Sequence, residues 1–251
     1  MSKSITTVIL SVILLFAASV GAEEKKTSND TLADASAEKG EQVSSPPPMR
    51  VVYTPPAIGK PAQTVGGGSR GSSDKVPALF VVAPDHVGQT TSAAPSLFWF
   101  IDQVPDASIH VEFTLQDEES IEPIVEATLP TPTRAGVQQI QLSDHGAKLA
   151  AGIEYQWSIA LIVDPDERSK DIVATGFIDR VNATSQLTAR LASEGAARSA
   201  AVYAEEGIWY DAIAALSEQI AGDPTNAALR QQRADLLGQV GLDQAAKGDA
   251  L

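Results

Sequence analysis

The sequence predicts an α+β fold in which an antiparallel β-sandwich is followed by C-terminal α-helices. Three observations predict it. Short apolar runs of period two recur between residues 77 and 181, helix-forming Ala, Leu, Glu and Arg dominate after residue 183, and an internal repeat lies in the helical part. We place the sandwich domain at residues 76–182 and the helical segment, packed on the sandwich, at 183–251.

The clearest strands lie in residues 153–181. Six apolar side chains alternate with polar ones in the first run, which predicts a strand with one buried face. They are Ile153, Tyr155, Trp157, Ile159, Leu161 and Val163. The charged residues 164–171 separate this run from a second apolar run at 172–181. This pattern predicts two paired strands joined by a solvated hairpin tip.

Five further runs, at residues 78–83, 96–102, 108–116, 125–129 and 136–142, read as strands. In the run at 96–102, apolar side chains occupy both faces. About seven strands in roughly 100 residues is the size expected of an immunoglobulin-like sandwich. Tyr155, preceded by Leu149 and Gly152 and followed by Trp157, resembles a tyrosine corner, in which a tyrosine bonds back to the chain before its strand.

Three to four helices are predicted after residue 183. Residues 184–192, 196–219 and 226–239 are rich in helix formers, Asp223-Pro224 breaks and restarts the helix, and Gly241 ends the last one. Ala200, Tyr203, Gly207 and Ala212 recur 34 positions later as Ala234, Leu237, Gly241 and Ala246. This period is typical of tetratricopeptide repeats. Because an isolated repeat is not stable alone, we expect these helices to pack on the sandwich.

The N-terminal residues predict export. Lys3, an apolar run at residues 8–16 and the small residues before Glu23 predict a removable signal peptide at 1–22, with an uncleaved anchor as the alternative. No later segment is long and apolar enough to span a membrane. Residues 23–75 are rich in Pro, Gly and Ser and predict a disordered linker, although the apolar patch at 51–53 could instead dock on the folded body.

Composition narrows the possible partners. A net charge of −14 disfavours nucleic acid and anionic lipid. The absence of cysteine excludes disulfides, a disulfide-linked partner, thiolate nucleophiles and zinc–thiolate sites. An exported chain without disulfides is expected in a bacterial periplasm or outside the cell, with a periplasmic or envelope protein as its partner.

No recognisable catalytic, cofactor or metal pattern occurs in the chain. Residues 67–71 fit G-x-S-x-G but lie in the linker, whereas a nucleophile elbow needs a strand before it and a helix after it. His86, His110 and His145 are not at metal-ligand spacing. The acidic run from Asp164 lacks the Gly and Glu of a calcium loop. We therefore expect no enzyme activity and no cofactor.

Two places could contact a partner. The hairpin tip carries Asp164, Asp166 and Arg168, and the arginine could bind a partner's carboxylate through two hydrogen bonds. Trp209 and Tyr210 have two interpretations. They either pack in the seam between the helices and the sandwich or form an aromatic anchor for a peptide or glycan.

Four ordered stretches resemble a bacterial family described only as domain of unknown function 928, common in cyanobacteria and found in proteobacteria. They are TVGGGSRG at 64–71, LFVVAPDHVGQTTSAAPSLFWF at 79–100, IVDPDERSKDIVATGFIDRV at 162–181 and AVYAEEGIWYDAIAAL at 201–216. The resemblance implies an exported protein and no activity.

The sequence thus favours a non-catalytic protein-interaction or envelope-associated module. Two rival functions stay open. A carbohydrate-binding module would need a row of exposed rings on one sheet face, and a carboxylate-based hydrolase would need two carboxylates facing each other across a cleft.

Overall fold

The structure, a computed structural model, describes residues 50–56, 77–117, 120 and 122–250. The predicted signal peptide, most of the predicted linker and the G-x-S-x-G stretch lie outside the described residues. The described part is α+β, with eight strands followed by C-terminal helices. This confirms the predicted fold class, and the strand count exceeds the predicted number by one.

The strands form two sheets. The three-stranded sheet has the order β1-β3-β6, with β1 at Leu79–Val81, β3 at Ser96–Ile101 and β6 at Gly136–Gln141. The five-stranded sheet has the order β2-β8-β7-β4-β5. Its strands are β2 at Gly88–Thr90, β4 at His110–Asp117, β5 at Val125–Leu129, β7 at Glu154–Ile162 and β8 at Ile172–Arg180. All pairs are antiparallel except β2 and β8, which run parallel.

The three-stranded sheet is covered on both faces. Phe100 of β3 lies against the last helix, where a side chain at Gly248 would meet its ring. Trp99, on the opposite face of β3, is 2% exposed. Because neither face of β3 meets water, the strand can be apolar at every position from Leu97 to Ile101. The unbroken apolar run in the sequence therefore marks a strand in the middle layer.

The five-stranded sheet buries one face only, and β7 shows the expected alternation. Tyr155, Trp157, Ile159 and Leu161 are buried, whereas their neighbours in the strand are partly exposed up to Ala160. The prediction extended this face too far at both ends. Ile153 precedes the strand and is 43% exposed, and Val163 follows it and is only half-buried, because the chain turns away from the sheet there.

The predicted backward hydrogen bond of Tyr155 is present. The backbone N–H of Ala150 donates to Tyr155 Oη at 2.9 Å. Gly152, at φ +75°, forms the turn between them, and its N–H donates to the carbonyl of Arg180 at 2.8 Å. These bonds fix the chain that enters β7 against the end of β8.

Five α-helices follow the strands: α1 at Ser185–Glu194, α2 at Ser199–Glu205, α3 at Trp209–Gly222, α4 at Ala227–Gln239 and α5 at Asp243–Asp249. The helix-forming stretch predicted at 196–219 contains two helices, α2 and most of α3, because the chain turns at Gly207, whose φ is +80°. Gly241, with φ +77°, makes the corresponding turn 34 residues later. The repeat noted in the sequence thus coincides with two helix pairs, α2–α3 and α4–α5. Within the described residues no helix has both the length and the apolar character needed to cross a membrane.

The start of α3 fastens the helices to the strands. Trp209 Nε1 donates to the carbonyl of Val82 at 3.0 Å, and Tyr210 Oη donates to the carbonyl of Phe177 at 2.9 Å. Trp157 Nε1 in turn donates to Tyr210 Oη at 2.9 Å. One tyrosine therefore connects α3 to both β7 and β8.

Candidate functional site

The charges of the hairpin tip are paired within the chain. Arg168 contacts Glu112 at 2.8 Å and Asp171 at 2.5 Å, and Lys170 contacts Glu167 at 2.5 Å and Asp164 at 3.4 Å. Hydrogen bonds to Glu112 and Asp171 raise the pKa of the Arg168 guanidinium. Both terminal nitrogens of Arg168 point at the two oxygens of Glu112. Glu112 therefore occupies the fork that the sequence analysis assigned to a partner's carboxylate, and contact of the tip with a partner stays a prediction.

Asp166 and Arg168 are exposed, whereas Asp164 is partly buried. The backbone N–H of Asp166 donates to Asp164 Oδ1 at 3.1 Å, which closes a local turn. Most charged side chains of the tip are thus paired within the chain, although Asp171 Oδ1 is buried without a hydrogen-bond partner in the described part of the protein.

Trp209 and Tyr210 are not exposed anchors. Their exposed fractions are 0% and 1%, and the polar tip of each ring is hydrogen-bonded within the protein. With the strap residues 50–56 in place neither ring has accessible surface, so neither is an exposed anchor for a peptide or glycan, and the ring that Trp209 contacts there is the chain's own Tyr53. Of the two interpretations drawn from the sequence, the filled seam is the one that the structure has.

The described strands do not carry the row of exposed rings that a carbohydrate-binding sheet would need. Their largest rings are buried in the core: Phe98, Trp99, Phe100, Phe113 and Trp157. Among the described residues there is also no group of three or more His, Asp or Glu side chains that could hold a metal ion. His110 is exposed at the start of β4, and His145 lies beside Phe113, with ring centroids 5.5 Å apart.

A different site is formed by residues 50–56, here called the strap, which cross the helices. The side chain of Gln239, at the end of α4, forms hydrogen bonds to the main chain of the strap. Its side-chain oxygen accepts from the N–H of Tyr53 at 2.8 Å, and its side-chain nitrogen donates to the carbonyl of Val51 at 2.9 Å. The N–H of Thr54 donates to the carbonyl of Ala204 in α2 at 3.0 Å. Three main-chain groups of the strap are thus satisfied by the helices.

The side chains of the strap alternate between buried and exposed. Val51 and Tyr53 are 2% and 7% exposed, whereas Val52 is 44% exposed. This alternation is that of an extended chain with one face against the protein. The alternative that the apolar patch at 51–53 docks on the folded body is therefore the one observed, and the linker interpretation does not describe these residues.

Tyr53 occupies an aromatic pocket. Its ring meets Trp209 edge-on, with centroids 5.0 Å apart, and is nearly parallel to the ring of His86 at 5.8 Å. Tyr53 Oη lies 2.8 Å from His86 Nε2, and His86 Nδ1 lies 3.1 Å from Asp85 Oδ1. An ionised carboxylate only accepts, so in neutral His86 Nδ1 carries the proton and Nε2 accepts from the tyrosine. Burial, and secondarily the charge of Asp85, raises the pKa of Tyr53, which keeps the phenol protonated.

Gly207 lets the strap approach the turn between α2 and α3. Its φ of +80° favours glycine, and a Cβ at this position would lie 3.0 Å from the carbonyl oxygen of Thr54. The residue that ends the first helix of the repeat therefore also provides the space in which the strap lies. A side chain here would strain the turn and press on the strap.

A polar groove of about 470 Å³ lies between the strands and helices α2 and α3. Asp211 is at its base, where one carboxylate oxygen accepts from Thr90 Oγ1 and the other from the N–H and hydroxyl of Thr91. Glu218 and Tyr203 also line the groove. Because both oxygens of Asp211 are held by donors, this carboxylate fixes the end of β2 and is poorly placed to transfer a proton.

The strap site could only partly be found from the sequence. The alternation in Val51-Val52-Tyr53 signals an extended segment with one apolar face. Nothing in the sequence pairs Tyr53 with Gln239, which lies 186 positions away. His86 reads as a surface residue in a loop, yet only 14% of its side chain is exposed because Tyr53 covers it.

Comparison with known proteins gives one match. The family model described as Domain of Unknown Function (DUF928) matches residues 65–249, which covers all the described strands and helices and begins after the strap. No curated protein matches the chain.

Proposed function

The chain belongs to the family described as Domain of Unknown Function (DUF928), a description that names no activity, and we propose that it is a non-catalytic protein-interaction module of the cell envelope. Its helical surface binds an extended peptide segment of a partner protein. In the state described here, the chain's own strap occupies that surface.

The contacts of the strap with the helices are the observation that supports this proposal. Extended peptides are commonly recognised by hydrogen bonds to the peptide main chain together with pockets for alternate side chains. Gln239 supplies one donor and one acceptor to the strap main chain, and Trp209 and His86 form a pocket for Tyr53. A partner segment with an aromatic residue two positions after an apolar one would present the same groups.

The architecture supports a binding role. The sheet order, the parallel pair β2–β8 and the hydrogen bond of Tyr155 agree with an immunoglobulin-like sandwich. The two helix pairs with a 34-residue period, each turning at a glycine of positive φ, agree with tetratricopeptide-like repeats. Both types of module serve mainly in binding. This support is an argument by analogy of fold.

We propose a non-catalytic role because the side chains best placed to transfer a proton are held by hydrogen bonds within the protein. Both oxygens of Asp211 accept hydrogen bonds, and His86 bridges Asp85 and Tyr53. Placement in the envelope rests on the export signal read from Lys3 and residues 8–16. A net charge of −14 is compatible with that location and with a partner other than nucleic acid.

A competition experiment tests the peptide-binding role. In the variant Tyr53→Ala the strap loses its buried ring, so a fluorescent peptide with the sequence of residues 50–56 should gain access to the helical surface. Fluorescence anisotropy should show binding to this variant at least about tenfold tighter than to the native protein, in which the tethered strap competes at high effective concentration. The same peptide with alanine in place of its tyrosine should not bind.

The matched control is the double variant Tyr53→Ala/Gln239→Ala, which removes the main-chain contacts of Gln239 and should lose the peptide. A peptide that binds neither the native protein nor the Tyr53→Ala variant, with the fold intact by circular dichroism, would contradict the proposal. If peptide binding holds, an envelope partner should be recovered after mild crosslinking by Tyr53→Ala and lost with the double variant.

A further inference from the structure

We propose that a second site, a cavity between β6 and helices α3, α4 and α5, binds the carboxylate of an acidic peptide through Arg134 and Arg230. The cavity has a volume of about 550 Å³ and shares no residue with the strap contacts described above. It therefore offers a binding function independent of the strap.

The lining of the cavity is cationic in a strongly acidic protein. Arg134, Arg230 and Arg233 line it together with a single carboxylate, Asp249, although the chain as a whole carries a net charge of −14. Lone arginines on a surface are ordinary, but three around one cavity concentrate positive potential where a ligand would be enclosed. This local excess of charge is complementary to an anion.

Arg233 is held in an ion pair within the protein, so only the other two arginines are available to bind a ligand. Arg233 donates to both oxygens of Asp249, at 2.7 and 2.5 Å, and to Ser217 Oγ at 2.8 Å, and both partners of this ion pair are nearly buried. Its charge is thereby neutralised and its planar group fixed. The pair ties α4 to α5 and forms a rigid wall of the cavity.

Arg134 and Arg230 keep their charges uncompensated among the described residues. Arg230 donates only to the carbonyl of Pro224, which carries no charge. Arg134 follows β5 in an exposed turn, and its guanidinium has no hydrogen-bond or ion-pair partner in the described part of the chain. Its backbone is nevertheless held, because Gln138 Nε2 donates to the Arg134 and Gly136 carbonyls at 3.1 and 3.2 Å.

The remaining wall favours a peptide carboxylate over a bare inorganic anion. Phe98, Val137 and Ile220 line the same cavity and give it an apolar side that a single oxyanion would leave in water. A glutamate side chain can place its methylene groups on such a wall while its carboxylate takes two parallel hydrogen bonds from arginine.

The test follows backbone amide shifts of the ¹⁵N-labelled protein during titration with acetyl-Ala-Glu-Ala-amide. The peptide should shift the amides of Ala135, Gly136 and Gly248, which line the cavity. The uncharged acetyl-Ala-Gln-Ala-amide should not shift them. In Arg134→Gln/Arg230→Gln the Glu peptide should bind about tenfold more weakly or worse, because hydrogen bonds to a charged group are lost.

Arg198→Gln is the matched control, since it removes an arginine that lines none of this cavity and pairs with Glu194. It should bind the Glu peptide like the native protein. The single variant Arg134→Gln, at an exposed position, serves if the double variant does not fold. Equal shifts with the Gln peptide, undiminished binding in the arginine variants, or tighter binding of inorganic phosphate at the same amides would each overturn the acidic-peptide assignment.

Discussion

Tyr155 and Trp157 illustrate how far single residues could be predicted from the sequence. Their alternation with polar neighbours predicted that both rings are buried, and the glycine turn before Tyr155 predicted its bond to the preceding chain. The partner of Trp157 could not be predicted in this way. Tyr210 is 53 positions away, and the contact exists only because α3 packs on the five-stranded sheet. Local patterns specify which side chain is buried, and tertiary packing specifies what it bonds to.

Asp179, near the end of β8, is a residue whose partial burial disfavours the charged form of its carboxyl group. Burial raises the pKa of its carboxyl, and Oδ1 has no hydrogen-bond partner in the described part of the protein. Glu154 stands directly opposite on β7, and Arg180 follows in sequence with its Nη1 on the Leu149 carbonyl. Because the folded state holds this proton more tightly than the unfolded state, stability is lost as the pH rises through the folded pKa.

We therefore expect Asp179→Asn to be more stable than the native protein at neutral pH, because the amide avoids the cost of the buried charge. The difference should vanish at about pH 3, where the carboxyl is protonated in both states. Urea unfolding midpoints of both proteins at the two pH values measure this. A variant that is less stable at pH 7 would mean that the charged carboxylate makes a favourable contact.

At the scale of whole elements, hydrophobic patterning predicted most strands together with the layer that each occupies. The unbroken apolar run of β3 belongs to the middle layer, and the alternating run of β7 to a sheet with one solvated face. The pattern missed β2, because Gly88-Gln89-Thr90 is short and has no apolar face, and its strand geometry comes from pairing with β8. It also missed α5, because the seven residues of this helix include Gly248 and two aspartates, which are poor helix formers.

The strap site was the hardest element to predict. Its contacts join residues near the N-terminal end to α2, α3 and α4, and each depends on the completed fold. The alternation of apolar and polar residues predicts that a segment has one apolar face. It does not predict which residues cover that face. The pairing of Arg168 with Glu112 could not be predicted from the sequence either, because Glu112 lies on a neighbouring strand, 56 positions away.

Two glycines in the C-terminal helices should respond oppositely to the same substitution. A methyl group at Gly248 of α5 would lie 2.5 Å from Phe100 Cζ, so Gly248→Ala should push the helix from β3 and cost about 1–3 kcal/mol of unfolding free energy. A methyl group at Gly238 of α4 would meet nothing within 4 Å. Gly238→Ala should therefore stabilise by up to about 1 kcal/mol through helix propensity.

Urea or thermal unfolding of the two variants beside the native protein measures the difference, and Gly238→Ala serves as the control for the intrinsic effect of alanine in a helix. A Gly248→Ala protein as stable as Gly238→Ala would contradict the close packing of α5 on β3. It would then also weaken the description of β3 as a strand covered on both faces.

At the scale of the whole molecule, the strap, both sheets and helices α2 to α5 share one hydrophobic core, whereas Leu187 of α1 packs in a second, smaller cluster. That core contains Val51 from the strap, Trp99 and Trp157 from the two sheets, and Trp209 from α3. The described residues accordingly form one compact unit. The strands and the helices differ in secondary structure and in sequence pattern, but the boundary between them is buried like the interior of a single domain.

We therefore expect the helices and the sheets to unfold in a single cooperative transition, because separating them would expose the rings of Trp209 and Phe100 to water. Far-UV circular dichroism at 222 nm reports mainly on the helices. Tryptophan fluorescence reports on both parts, and the variant Trp209→Phe restricts it to the two tryptophans of the sheets. Urea curves from the two probes should superimpose for this variant. If the dichroism signal is lost at a lower urea concentration than the sheet fluorescence, the helices unfold separately and the shared core does not couple them.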